Sequence, residues 1–128
     1  MRCMARFREV VEAVRQAEQN RAAFEQRLTL FLSDVVGSME REVAAEGGEL
    51  RRRKPASVSG RFATGEYELQ YPQGIKTQPR VFSLYVGEEG NQMTIGLDSN
   101  GGGVVTNALD GVDQVFQLLL DTSPRTVV

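Results

Sequence analysis

The sequence predicts one α+β domain across residues 1–128, with a helical segment at 1–48, an antiparallel meander of four or five strands at 57–106 and a short helix at 108–122. Three observations predict it. Apolar residues recur at steps of three and four through the first third of the chain. The period then becomes two, and after Asn107 it returns to that of a helix. A chain of 128 residues is long enough for a single hydrophobic core.

The first segment carries its apolar residues at Phe7, Val10, Val11, Val14, Ala17, Phe24, Leu28, Phe31, Val35, Met39 and Val43, with mostly Glu, Arg and Gln between them. Gly47-Gly48 gives the stop signal. Forty helical residues would run roughly 60 Å, whereas a compact domain of this size is on the order of 35 Å across. The helix is therefore expected either to break, with the polar stretch near Asn20 the best place, or to overhang the rest of the domain. An overhanging apolar stripe needs cover. A heptad-like seam with Phe7, Val14, Phe24, Leu28 and Phe31 as its candidate dimer contacts would supply it from a second copy. The alternative is that both halves pack on the chain's own sheet.

Glu49 to Ala56, with Arg51-Arg52-Arg53-Lys54 at its centre and Pro55 after it, is expected to be a connector. Ser57 to Ala63 reads as a weak strand and Thr64-Gly65 as a turn. Glu66 to Tyr71 alternates, with Tyr67, Leu69 and Tyr71 on one face. Pro72 to Pro79 reads as a loop. Arg80 to Gly87 and Gln92 to Asp98 are strands joined by a Glu89-Gly90-Asn91 hairpin turn, and Phe82, Leu84, Val86, Met93, Ile95 and Leu97 point inward. Ser99 to Gly103 is a turn and Gly103 to Thr106 a last short strand. Asn107 or Asp110 caps the final helix, whose expected buried stripe is Leu109, Val112, Phe116, Leu119 and Leu120, with Ser123-Pro124 as its stop. The second sheet face, bearing Glu66, Glu68, Gln70, Ser83, Tyr85, Gln92 and Thr94, is expected to be wet or a contact surface.

Chemistry is constrained mainly by what the composition lacks. There is no histidine, which removes histidine-based triads and most transition-metal sites. Cys3 is the one cysteine, so no disulfide can form within the chain and no base is adjacent in sequence to activate the thiol. Asp98-Ser99-Asn100 has no acidic residue placed to close a calcium loop. Gly101-Gly102-Gly103 precedes a β run, not a helix, and no lysine follows, unlike a phosphate-binding loop. Glu66 and Glu68 share a face, as do ordinary solubilising charges on an exposed strand. No catalytic residue, cofactor site or metal site is predicted. With 15 basic and 17 acidic residues, the net charge of −2 supplies no global basic field for nucleic acid. No apolar run reaches bilayer length and no secretory signal is expected. The expectation is a cytoplasmic protein with no membrane partner.

The sharpest local feature is the run Arg51, Arg52, Arg53 and Lys54, a candidate polyanion contact that Arg61, Lys76 and Arg80 would extend if the fold brought them near. No aromatic residue interleaves it. In size, acidity and α+β mix the chain resembles small bacterial secretion chaperones, though its element order departs from theirs. In element order alone, Ser57 to Asp121 resembles the four-strand-plus-helix unit of Pur-alpha and whirly proteins, which implies single-stranded nucleic-acid binding and dimerisation. A third expectation, a small enzyme or ligand-binding fold, would use carboxylates or Tyr67, Tyr71 and Tyr85. The favoured expectation is a non-catalytic protein-binding or adaptor module that forms a homodimer through its N-terminal helix and binds an unidentified protein. The alternative is a single-stranded nucleic-acid binder using the basic run and the sheet.

Overall fold

The structure is a computed structural model that describes residues 2–98 and 102–122. Of the turn expected at 99–103, residues 99–101 lie outside the described residues, as do the expected Ser123-Pro124 stop and the side chain of Cys3. The chain forms a long helix, five strands and a short helix: α1 (Arg2–Ala45), β1 (Glu49–Ser59), β2 (Phe62–Gln70), β3 (Arg80–Glu89), β4 (Gln92–Leu97), β5 (Val104–Val105) and α2 (Ala108–Thr122). The strands form one antiparallel sheet in sequence order, a simple meander. Both helices cover the same face of that sheet.

α1 is continuous over 44 residues and does not break near Asn20. Side-chain pairs one turn apart carry the backbone through the polar stretch: Gln16 donates to Asn20 at 2.9 Å and Arg21 to Glu25 at 2.8 Å. The helix ends where Gly47 takes a positive φ of 86°. The Gly48 N–H bonds the Val43 carbonyl at 3.0 Å and the Gly47 N–H bonds that of Ala44 at 3.1 Å, satisfying the last turn in a Schellman arrangement.

The segment expected to be a connector is instead β1, an eleven-residue edge strand. Two register irregularities, between Arg52 and Lys54 and between Lys54 and Ser57, accommodate Pro55. An edge strand tolerates a residue that cannot donate to the ladder, and bulges and charges also blunt that edge against pairing with other chains. The turn expected at Thr64-Gly65 is likewise absent, and both residues lie within β2. Gly65 is there because the Tyr67 ring lies over it, where any Cβ would collide with the phenol. The real hairpin turn is Gly60-Arg61, with φ of 62° at Gly60, and Gly90-Asn91 repeats the geometry.

The core contains Leu28, Leu32, Val35, Val36 and Met39 of α1, packed against Leu50, Tyr67, Phe82, Leu84, Val86, Ile95, Leu97 and Val105 of the sheet and Val112, Val115 and Leu119 of α2. Leu109 and Leu120, expected inside, are exposed, and Val115 takes the central place. The two helices meet closely at Gly111, where a Cβ would lie 2.9 Å from Cγ2 of Val35. Asn107 caps α2, its Oδ1 accepting from the Asp110 N–H at 3.0 Å, while Asp110 accepts in return from Thr106. Arg80 closes the other end of α2 by donating to the Thr122 carbonyl at 3.0 Å.

Candidate interaction surfaces

The helix is longer than the sheet it covers. The first α1 position enclosed by the protomer is Leu28, and nearly all of 6–23 is exposed. On that overhang Phe7 is 69%, Val10 57% and Val14 51% exposed. These side chains continue the stripe that Leu28, Leu32, Val35 and Met39 bury further along, so one helical face is covered at one end and bare at the other.

The predicted seam therefore divides. Phe7 and Val14 are free to meet another molecule. Phe24 sits at the boundary, half-buried, with the Arg21 and Arg27 guanidinium carbons 5.4 and 6.0 Å from its ring centre. Leu28 does not belong to the seam. It is fully enclosed in its own core. Phe31 is also removed from it, because its ring packs on the protomer's core beside Gly111 of α2. Both carry the same period as the seam residues, and only the position of the sheet edge separates the two roles.

The basic run is not a free cationic patch. Alternation along β1 splits it, and carboxylates of the same protomer meet three of its members: Arg51 with Glu49 at 3.1 Å, Arg52 with Glu40 of α1 at 2.7 Å, and Lys54 with Glu66 at 3.3 Å. Exposed pairs of this kind contribute only about 0–1 kcal/mol each, but a phosphate approaching them meets the paired carboxylates as well. The Arg51 guanidinium is held above its ordinary value chiefly by its bond to Glu49. Arg53 makes no ion pair among the described residues. Arg80 is committed to Thr122 and to Asp98, which lies 3.4 Å away.

The sheet face turned away from the helices bears Glu66, Glu68, Ser83 and Thr94, as the alternation predicts, and also Arg51 and Lys54 of the strand that replaces the expected connector. It also exposes Phe62, Val81, Tyr85 and Val104. The Phe62 ring lies over Gly87, where a Cβ would come within 2.9 Å of it. Sequence reading missed Phe62 and Val104 because the misplaced β1–β2 turn and the brevity of β5 hid their register. The three tyrosines do not converge. Tyr67 is buried in the core, where desolvation pushes its phenol above the ordinary value. Tyr71 borders a groove, and Tyr85 is on the opposite face.

That groove, about 560 Å³, runs between the end of α1, the end of β2 and α2, with Val43, Leu69, Phe116 and Leu120 as its apolar lining and Glu42, Glu46 and Asp113 at its margin. Tyr71 makes no hydrogen bond to Glu42, Glu46 or Asp113 there. Among the described residues no three acidic or cysteine side chains are grouped to hold a metal ion. No helix there is long and apolar enough to cross a membrane. Comparison with family models, curated proteins and solved structures found no match to this chain.

Proposed function

We propose that the protein is a non-catalytic protein-binding module that acts as a homodimer through the N-terminal half of α1. The observation that carries this reading is the bare stripe of Phe7, Val10 and Val14 on a helix that extends past its own sheet. Removing apolar surface from water stabilises by about 25 cal/mol per Å², and a second copy offers an identical stripe to cover this one. The open sheet face, with Phe62, Val81, Tyr85 and Val104 exposed among charged and polar side chains, is then the surface for a protein partner. The test is sedimentation of the wild type against Phe7→Glu/Val14→Glu. The reading requires a wild-type dimer at micromolar concentration and a folded monomeric variant. Equal sedimentation of the two as dimers would place the contact elsewhere.

A second reading is favoured by the two exposed aromatics of the open face, Phe62 and Tyr85, which present ring surfaces on which unpaired bases can stack. The ion pairs that occupy Arg51, Arg52 and Lys54 weigh against it. Salt-sensitive binding of a single-stranded oligonucleotide, lost in Phe62→Ala/Tyr85→Ala, would support it. No binding at low salt would remove it.

A further inference from the structure

A helix-mediated dimer can run its two helices parallel or antiparallel. Resting on the dimer reading above, we infer that the second copy lies antiparallel, with the two-fold axis crossing between Arg15 and Gln16. Phe7 of each copy then faces Phe24 of the other.

Steric exclusion comes first. From Leu28 onward the stripe is filled by the protomer's own sheet. A parallel partner in register would bring its sheet into the same space. An antiparallel partner overlapping only the bare segment puts the two sheets at opposite ends.

The layers agree with that direction. Phe7, Val14 and Arg21 occupy the first apolar position of successive heptads, and Val10, Ala17 and Phe24 the fourth. Antiparallel pairing sets first positions against fourth. One register then pairs Phe7 with Phe24, Val14 with Ala17, and Arg21 with Val10. Arg21 is the single charged member, and the protomer holds its guanidinium over the Phe24 ring through Glu25 at 2.8 Å and the Gly60 carbonyl at 2.9 Å. Beside Phe24 lies a hollow of about 530 Å³, bordered by Ala17, Asn20, Arg21, Arg61 and Glu88, that can receive the Phe7 ring of the second copy against the Arg21 guanidinium.

Charge on one side of the stripe points the same way; on the other side the register sets Arg6 beside Arg27, whose charge Glu88 of its own protomer meets at 2.9 Å. Glu18 and Glu25 flank the stripe on one side, and Arg8 and Arg15 lie on that side one row further out, within reach of a long side chain. The antiparallel register brings Arg15 beside Glu18 and Arg8 beside Glu25 of the other copy. A parallel register would set Glu18 beside Ala13 and Glu25 beside Asn20. No ion pair among the described residues engages Arg8, Arg15 or Glu18 within the protomer.

Disulfide trapping tests the direction. In a Cys3→Ser background, Phe7→Cys and Phe24→Cys proteins of distinguishable mass are mixed and mildly oxidised. Positions 7 and 24 lie roughly 25 Å apart along one helix, so a mixed disulfide and a self-disulfide report opposite directions. The antiparallel arrangement predicts a several-fold excess of the mixed species. Val10→Cys with Arg21→Cys repeats the test should the loss of either phenylalanine disturb folding. Self-disulfides in excess, or no disulfide from either pair while the wild type sediments as a dimer, would overturn the inference and leave the dimer standing. A wild type that sediments as a monomer would remove both.

Discussion

Val14 and Leu28 lie on the same face of α1, and the structure gives them opposite consequences when each is cut back to alanine. Leu28 is 0% exposed within the protomer. Removing its isobutyl branch deletes buried carbon and leaves a cavity bounded by the sheet, which costs about 2–5 kcal/mol of protomer stability. With a urea slope of about 1–3 kcal/mol per molar, the unfolding midpoint falls by at least about 0.7 M at any protein concentration. Val14 is half exposed, so Val14→Ala removes little that the protomer buries. Alanine is also the better helix former by about 0.5 kcal/mol, and protomer stability should stay level or rise slightly. The loss appears in assembly. Two methyl groups per copy, half-buried already and worth about 0.8 kcal/mol per buried carbon, weaken the dimer by about 1–2 kcal/mol, roughly tenfold in Kd. Urea titrations followed by circular dichroism, at a low concentration where copies are separate and a high one where they are paired, measure both terms. A low-concentration loss for Val14→Ala as large as that for Leu28→Ala would refute the reasoning, because it would mean that the protomer itself covers position 14.

Other consequences can be checked independently. Gly111→Ala should destabilise by about 1–3 kcal/mol although alanine favours helix, because the added methyl meets buried Val35 at 2.9 Å; a rise in melting temperature would show that α1 and α2 separate at little cost. Asn107→Ala should cost about 1 kcal/mol by leaving the first N–H groups of α2 unpaired, measured as a fall in the chemical-denaturation midpoint. The raised Tyr67 phenol keeps its proton in the folded state at pH values where the unfolded chain has lost it. Stability is therefore fully retained below the ordinary tyrosine range and falls as pH rises through and above it. Tyr67→Phe should flatten that alkaline slope, and an unchanged slope would assign it to other groups.

The order of elements was legible because it depends on period. The α1 stripe, the β3–β4 hairpin and the bounds of α2 follow from spacing and from Gly90 and Asn107. Where reading failed, a local signal was overruled by neighbours that the sequence does not display. Gly65 looks like a turn residue, but it is a strand position emptied for the Tyr67 ring. Pro55 looks like a terminator, but it lies in an edge strand with irregular register. Arg51 to Lys54 look like free charge until the strand register and the α1 packing bring Glu66 and Glu40 to them. The seam was half legible. Leu28 and Val14 share period and chemistry, and what separates them is where the sheet ends beneath the helix, a fact set by strand lengths and register.

Amide hydrogen exchange across residues 8–23, followed as a function of protein concentration, addresses the bare stripe most directly. A projecting single helix whose tie to the rest of the protomer lies at Arg21 opens readily, because a lone segment of this length is marginal in water. Protection of those amides that rises with concentration, while the amides of Leu28 to Met39 stay protected throughout, is the result expected if a second copy covers the overhang. Equal protection at every concentration would contradict it and show that the segment draws its stability from within one subunit.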